Sequence, residues 1–141
     1  MEQFKDILKA KRKDLELTQK DLAEKLGVSQ QAIYKYETGS FIPSFFVVDA
    51  IADFFECSVD ELVGRDYKYT PFKKMREVKY IIYDKMREHR HSYDSLAKAI
   101  ECSDHTIRQW TSGKTYPDLK YLCILSDIFK CSIDELMGRK L

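Results

Sequence analysis

The 141-residue chain lacks the features of membrane and secreted proteins. It has no run of about 18 apolar residues, the length that a helix needs to cross a bilayer. Its first residues, Met-Glu-Gln-Phe-Lys-Asp, lack the apolar stretch of a signal peptide. We therefore expect a cytoplasmic protein with no membrane partner.

The cysteines are not spaced for metal binding. The four cysteines are Cys57, Cys102, Cys123 and Cys131. No Cys-x-x-Cys pair occurs, and Cys102 with His105 supplies only part of a zinc ligand set. We expect buried, reduced thiols and no metal.

Catalytic patterns are also missing. No phosphate-binding loop occurs, and the three histidines, His89, His91 and His105, lack a paired nucleophile or acid. We therefore expect a protein that is not an enzyme and needs no cofactor. The net charge is only +1, but lysines crowd residues 5–35 and carboxylates crowd residues 49–61. One basic and one acidic region fit a protein that meets a polyanion on one side.

What the sequence does contain is an internal repeat with a shift of 74 positions. The segment Ser-Val-Asp-Glu-Leu-Val-Gly-Arg at 58–65 returns as Ser-Ile-Asp-Glu-Leu-Met-Gly-Arg at 132–139. The same shift relates Ile33 to Ile107. Such self-similarity indicates two copies of one small fold, each of about 60 residues, a size that folds alone only marginally.

The repeat sets the expected domain boundaries. We predict a first domain at 1–66 and a second, divergent domain at 78–141. Residues 67–77 form a short linker that runs into an extended first helix of the second domain. Thr70-Pro71 suits the N-cap and first position of that helix.

Helix signals dominate both repeats, and no alternating strand of useful length appears. In the first repeat, a helix over about Gln3 to Asp14 precedes four more, with Thr18, Ser29, Pro43-Ser44 and Ser58 at their starts. In the second repeat, the starts are Ser92, Ser103, Asp118 and Ser132. The sequence therefore predicts an all-α fold of two tandem five-helix domains.

The second and third helices carry a longer motif. It reads Leu17-Thr18-Gln19-x-x-Leu22-Ala23-x-x-Leu26-Gly27-Val28-Ser29, followed by Ile33-x-x-Tyr36-Glu37-x-Gly39. A short helix, a turn with glycine and another helix make a helix-turn-helix. The motif resembles the phage repressor and Cro family, the XRE-like bacterial regulators, over nearly all of residues 4–65. The resemblance implies lambda-repressor-like domains, double-stranded DNA as the partner, and a homodimer or an intramolecular pseudo-dimer.

The resemblance also implies which residues meet DNA. The third helix of such folds lies in the major groove, where glutamine bonds adenine in bidentate fashion. Gln19 resembles the family glutamine that holds a phosphate at a helix N-terminus. The predicted DNA-binding residues of the first repeat are Gln19, Ser29, Gln30, Gln31, Tyr34, Lys35 and Ser40.

A structural ion pair is predicted between Arg12 and Glu37. In the family, an arginine of the first helix commonly pairs with the glutamate that ends the third. The second repeat has Met86 and Thr111 at these positions. Losing both partners together is expected of a buried pair, because stranding one charge is costly.

The DNA face of the second repeat departs from the motif. Tyr93 replaces Gln19, and Glu101 replaces Gly27, so a non-glycine residue must reach positive φ. His105, Arg108, Gln109 and Lys114 remain as predicted DNA-binding residues. Either this repeat binds a different half-site, or it is a partner-binding or dimerisation module.

We expect a sequence-specific double-stranded DNA-binding transcriptional regulator, and a repressor in particular. We expect the third helix of the first repeat to contact bases in the major groove. In one of the two interpretations, the third helix of the second repeat does so as well. The alternative is a helix-turn-helix-derived protein-interaction module of antitoxin or anti-repressor type, since fold alone does not prove function.

Overall fold

The computed structural model describes residues 2–65 and 76–139, and the regular secondary structure of this part is all α-helical. The chain divides into two compact units, Met1–Lys68 and Tyr69–Leu141. The first unit contains α1 (Glu2–Asp14), α2 (Gln19–Leu26), α3 (Gln30–Thr38), α4 (Phe45–Phe54) and α5 (Val59–Leu62). The second contains α6 (Val78–Glu88), α7 (Tyr93–Ile100), α8 (Asp104–Ser112), α9 (Leu119–Phe129) and α10 (Ile133–Met137). The predicted all-α class is confirmed.

The expected linker falls mostly on residues 66–75, which lie outside the described residues, as does the expected helix start at Thr70-Pro71. The described part shows where regular helix begins in the second unit. Arg76 and Glu77 precede α6, and Glu77 is its N-cap with extended backbone (ψ 143°). The carbonyl of Arg76 packs against Gly138, a tertiary contact that spacing along the helix cannot predict. The helix α6 begins after this contact, at Val78, which is later than the expected start.

Side-chain caps start the helices at the predicted residues, except at Ser44, which is the N-cap of α4 but makes no side-chain cap hydrogen bond. Thr18 Oγ1 accepts from the Asp21 amide at 3.0 Å, and the Asp21 carboxylate accepts from the Thr18 amide at 2.9 Å, which completes a capping box. The Thr18 amide also lowers the pKa of Asp21. Ser29 caps α3 through the amide of Ala32 at 3.0 Å. These bonds satisfy amides that the helix itself leaves without partners.

Left-handed backbone ends α2 and α7 at equivalent positions. Gly27 has φ 71° and Glu101 has φ 57°. The prediction that Glu101 must reach positive φ is confirmed. A side chain in this region costs about 1–2 kcal/mol, so the second unit keeps the turn in spite of its sequence.

Each unit has its own core. In the second unit, the buried residues include Leu96, Ala97, Ile100, Ile107, Trp110, Leu122, Leu125, Phe129 and Leu136. In the first unit, Leu22, Ala23, Ile33 and Tyr36 are buried, and Leu26 is half-buried. Leu15 is 53% exposed, because α1 ends at Asp14 and the chain turns there.

One ion pair recurs in both units. Lys11 on α1 lies 3.5 Å from Glu61 on α5, and Lys85 on α6 lies 3.4 Å from Glu135 on α10. Burial lowers the pKa of Lys85, but the charge of Glu135 opposes this and contributes to a pKa that is raised overall. The first and last helices are thus joined by the same contact in each unit.

Candidate nucleic-acid interface

The outer side of α3 carries a group of exposed polar residues. The capped turn from Gly27 to Ser29 joins α2 to α3, and Leu22 and Ile33 bury the inner faces of the two helices. Gln30 and Gln31 therefore stand exposed in the first turn of α3, and Tyr34 one turn later is 57% exposed. The side-chain amides of Gln30 and Gln31 are therefore exposed at the N-terminus of α3. Such amides can form hydrogen bonds with base edges.

The predicted site residues differ in exposure. Those exposed are Ser29, Gln30, Gln31, Tyr34, Ser40, His105, Arg108 and Lys114. Those half-buried are Gln19, Lys35 and Gln109. None of the predicted contact residues belongs to a core, so all are sterically able to meet a ligand.

The C-terminal end of α3 is held by local contacts. Lys35 Nζ lies 4.2 Å from the centre of the Phe41 ring, a cation–π contact that keeps the positive charge in place. The Thr38 and Ser40 hydroxyls are 2.9 Å apart. Ser40 is therefore fixed beside the helix end.

A buried ion pair lies beneath this face. Arg12 Nε donates to Glu37 Oε2 at 2.8 Å and Arg12 Nη2 donates to Oε1 at 2.9 Å, while Nη1 donates to the Leu17 carbonyl at 2.8 Å. The two residues are only 8% and 9% exposed. The hydrogen bond with Glu37 raises the pKa of Arg12, against the effect of burial. The pair links α1 to the end of α3.

Gln19 belongs to the same network. Its Nε2 donates to Glu37 Oε1 at 3.3 Å. The resemblance assigns Gln19 to a phosphate, and the structure adds a contact that orients its side chain at the start of α2. A sequence signal for this contact is that Gln19 and Glu37 are both replaced in the second repeat, by Tyr93 and Thr111.

The second unit rebuilds this network without charge. Met86 replaces Arg12 and is buried. The Tyr93 hydroxyl and the Thr111 hydroxyl, at the positions of Gln19 and Glu37, are 3.0 Å apart. All three positions have changed together, which is the behaviour of a coupled cluster.

The outer face of α8 has different contacts from that of α3. The Arg108 guanidinium lies 4.2 Å from the centre of the Tyr93 ring, and Arg108 Nε lies 3.4 Å from Asp104 Oδ2. Gln109 Nε2 and His105 Nε2 are 3.1 Å apart. The structure thus brings together Tyr93, Asp104 and Arg108, a cluster that the sequence analysis did not identify.

Two further lysines lie at the ends of these helices. The side chain of Lys5 lies against Gly39, and that of Lys79 lies against Gly113. The two lysines are equivalent in the repeat, and their glycines are the C-caps of α3 and α8. Cations are favourable at helix C-termini. Their shared register in the repeat is a sequence signal that could have identified them.

The described ranges, 2–65 and 76–139, contain no group of three or more His, Cys, Asp or Glu side chains suitable for a metal ion. All four cysteines are free thiols, and only Cys131 is buried; Cys57, Cys102 and Cys123 are half-buried, so the expectation of four buried thiols is wrong for these three. Within the same ranges, no helix has the length and apolar character needed to span a membrane.

Comparison with known proteins shows similarity to regulators. A helix-turn-helix family model matches the chain twice, at residues 8–62 and 82–136. The chain is 39% identical over 62 residues to the cryptic phage CTXphi transcriptional repressor RstR of Vibrio cholerae, covering 44% of this chain and 55% of RstR. It is 39% identical over 62 residues to the transcriptional activator BcrR of Enterococcus faecalis, covering 44% of this chain and 30% of BcrR.

A third relative is covered more fully. The chain is 43% identical over 59 residues to the HTH-type transcriptional regulator MJ0272 of Methanocaldococcus jannaschii, covering 42% of this chain and 89% of that protein. No solved structure gives a significant match.

Proposed function

The chain belongs to the helix-turn-helix family whose model matches both of its repeats, and we propose that it is a sequence-specific regulator of transcription that binds double-stranded DNA. The observation that carries the proposal is the exposed start of α3, where Gln30 and Gln31 stand over a buried framework. The names of RstR and BcrR, a repressor and an activator, support regulation in general. We assign the chain the role of a repressor in the cytoplasm, and no catalytic activity.

In the proposed mechanism, some residues position the domain on the DNA backbone and others recognise the bases. Gln19 and Ser40, at opposite ends of the α2–α3 unit, bind phosphates and fix the register of the domain. Gln30 and Gln31 then read adenine edges in the major groove. The Arg12–Glu37 pair keeps α3 at a constant angle to α1, because both ends of the contact are buried.

The test is selection of bound sequences from random duplex DNA. The wild-type protein is expected to enrich a defined site, and Gln30→Ala is expected to weaken binding to it by about tenfold or more, the effect of losing one bidentate base contact. Gln3→Ala is the matched control, since it removes an exposed glutamine from α1. If the wild-type protein enriches no site, the proposal is wrong and the protein-interaction module is favoured.

We also propose that the protein acts as a homodimer through an apolar patch on the first unit. The patch consists of Phe41, Ile42 and Phe46, of which Phe46 is 60% exposed. The second unit has Thr115, Tyr116 and Lys120 at these positions, so the fold itself does not require apolar residues there. Exposed apolar side chains mark interaction sites, and a two-fold dimer joins the same patch on both subunits.

Phe46→Lys, which introduces the residue of the second unit, tests the dimer. The wild-type protein is expected to dimerise in sedimentation equilibrium, and the variant is expected to raise the dimer dissociation constant more than about tenfold, because one phenylalanine per subunit loses its burial. Tyr116→Lys, at the position equivalent to Ile42, is the control for adding a lysine to the corresponding surface of the second unit. A wild-type protein that stays monomeric, or a variant that dimerises equally well, contradicts the proposed interface.

A further inference from the structure

The reading faces of the two units carry different base chemistry. Gln30 and Tyr34 of α3 are replaced by Asp104 and Arg108 of α8. Glutamine matches the major-groove edge of adenine, whereas arginine matches guanine O6 and N7 and a carboxylate accepts from the cytosine amine. Both replacements therefore favour a G·C pair over an A·T pair.

Tyr93 holds Arg108 in place for this role. The guanidinium lies over the Tyr93 ring at 4.2 Å, and the Tyr93 hydroxyl is fixed by its hydrogen bond with Thr111 at 3.0 Å. A stacked guanidinium uses its flat face for the ring and keeps its N–H edge for a bidentate acceptor. Less side-chain entropy is then lost when a base is bound.

Asp104 does not block the arginine. The Arg108–Asp104 pair spans 3.4 Å, and the two side chains are 58% and 55% exposed. Exposed pairs of this kind contribute little stability, so base edges can replace the contact. The first unit has no such arrangement, because Gln19, at the position of Tyr93, bonds Glu37 instead.

We propose that the second unit reads a G·C-containing sequence, with Arg108 bonding guanine, Asp104 accepting from cytosine, and Tyr93 as the positioning residue. The inference rests on the proposed function. It makes the recognised DNA chemically asymmetric, since α3 reads adenine and α8 reads guanine and cytosine. The second copy is then a reading head with a specificity of its own.

Selection from random duplex DNA with the wild type and Arg108→Ala tests the inference. The wild type is expected to enrich both adenine-containing and guanine-containing positions, and the variant is expected to lose only the guanine-containing ones. Lys98→Ala is the matched control, because Lys98 forms an equivalent exposed pair with Asp94, four residues earlier on α7. The intrinsic fluorescence of Trp110, which is buried, checks that the second unit stays folded.

Binding to the selected site then tests the contact itself. Replacing the selected guanine by 7-deazaguanine removes its N7 acceptor, and this is expected to weaken wild-type binding by about tenfold and to leave Arg108→Ala binding unchanged. Tyr93→Phe, which keeps the ring, is expected to retain the guanine preference, and Tyr93→Gln is expected to reduce it.

The outcomes separate the two proposals. Enrichment of adenine-containing positions alone, or guanine enrichment that survives Arg108→Ala, overturns the inference and leaves the proposed function standing. No enrichment at all overturns the proposed function together with the inference.

Discussion

Replacing Arg12 with methionine is expected to destabilise the first unit by about 3–5 kcal/mol, because it leaves a buried charge without its main partner. Glu37 is only 9% exposed, and Gln19, at 3.3 Å, is the one other side chain recorded as donating to it in the described structure. A neutral amide does not replace a guanidinium that bonds both carboxylate oxygens. The buried carboxylate then lacks the charged partner that offsets its desolvation, and this destabilises the folded unit.

The double variant Arg12→Met with Glu37→Thr is expected to be much less destabilised than the single one. It introduces the pair that the second unit already holds in the same fold, Met86 and Thr111. Adding Gln19→Tyr supplies the counterpart of Tyr93 and is expected to recover further stability, since Tyr93 and Thr111 are hydrogen-bonded.

Hydrogen exchange followed by mass spectrometry measures the effect on the first unit. The fluorescence of Trp110, the only tryptophan, follows the second unit in the same molecule and is the internal control. A double variant no more stable than Arg12→Met would show that the two residues are not energetically coupled.

Replacing Gly138 with alanine is expected to destabilise the second unit by roughly 2–4 kcal/mol, from backbone strain and overpacking together. Gly138 has φ 69°, and a Cβ there would lie 2.6 Å from the carbonyl oxygen of Arg76. Backbone cannot rotate away as a side chain can. The residues before α6 would have to move.

Gly64→Ala is the matched control, because Gly64 is the equivalent residue and has φ 76°. A Cβ there would meet the side chain of Gln3, which is able to rotate, so only the strain of about 1–2 kcal/mol is expected. Urea unfolding monitored by Trp110 fluorescence measures the loss of stability in Gly138→Ala, and hydrogen exchange measures the loss in Gly64→Ala. Equal losses at the two glycines would rule out the clash with Arg76.

The comparison between the two units changes how the repeat is understood. The copies keep side-chain caps at the starts of α2 and α7, of α3 and α8, and of α5 and α10, and they keep the Lys–Glu contact between first and last helices. They differ in the cluster beneath α3 and α8 and in the exposed side chains of these two helices. The exposed side chains can change without disturbing the fold, because they take no part in core packing.

Local sequence patterns are sufficient to predict most of the fold. Caps such as Thr18 and Ser29 act within four residues, and core periodicity reflects the helix repeat, so both can be read from a local pattern. The positive φ of Glu101 followed from its alignment with Gly27. The family motif, in turn, gave the candidate reading residues.

Which of these residues contact one another depends on how the helices pack. The stacking of Arg108 on Tyr93, the contact of Gln19 with Glu37 and the start of α6 beside Gly138 join residues on different elements. Such contacts depend on the angle and distance at which elements pack, and side-chain volumes across the whole core set these. Spacing along one helix carries no information about them, so the positioning of Arg108 by Tyr93 depends on how α7 packs against α8.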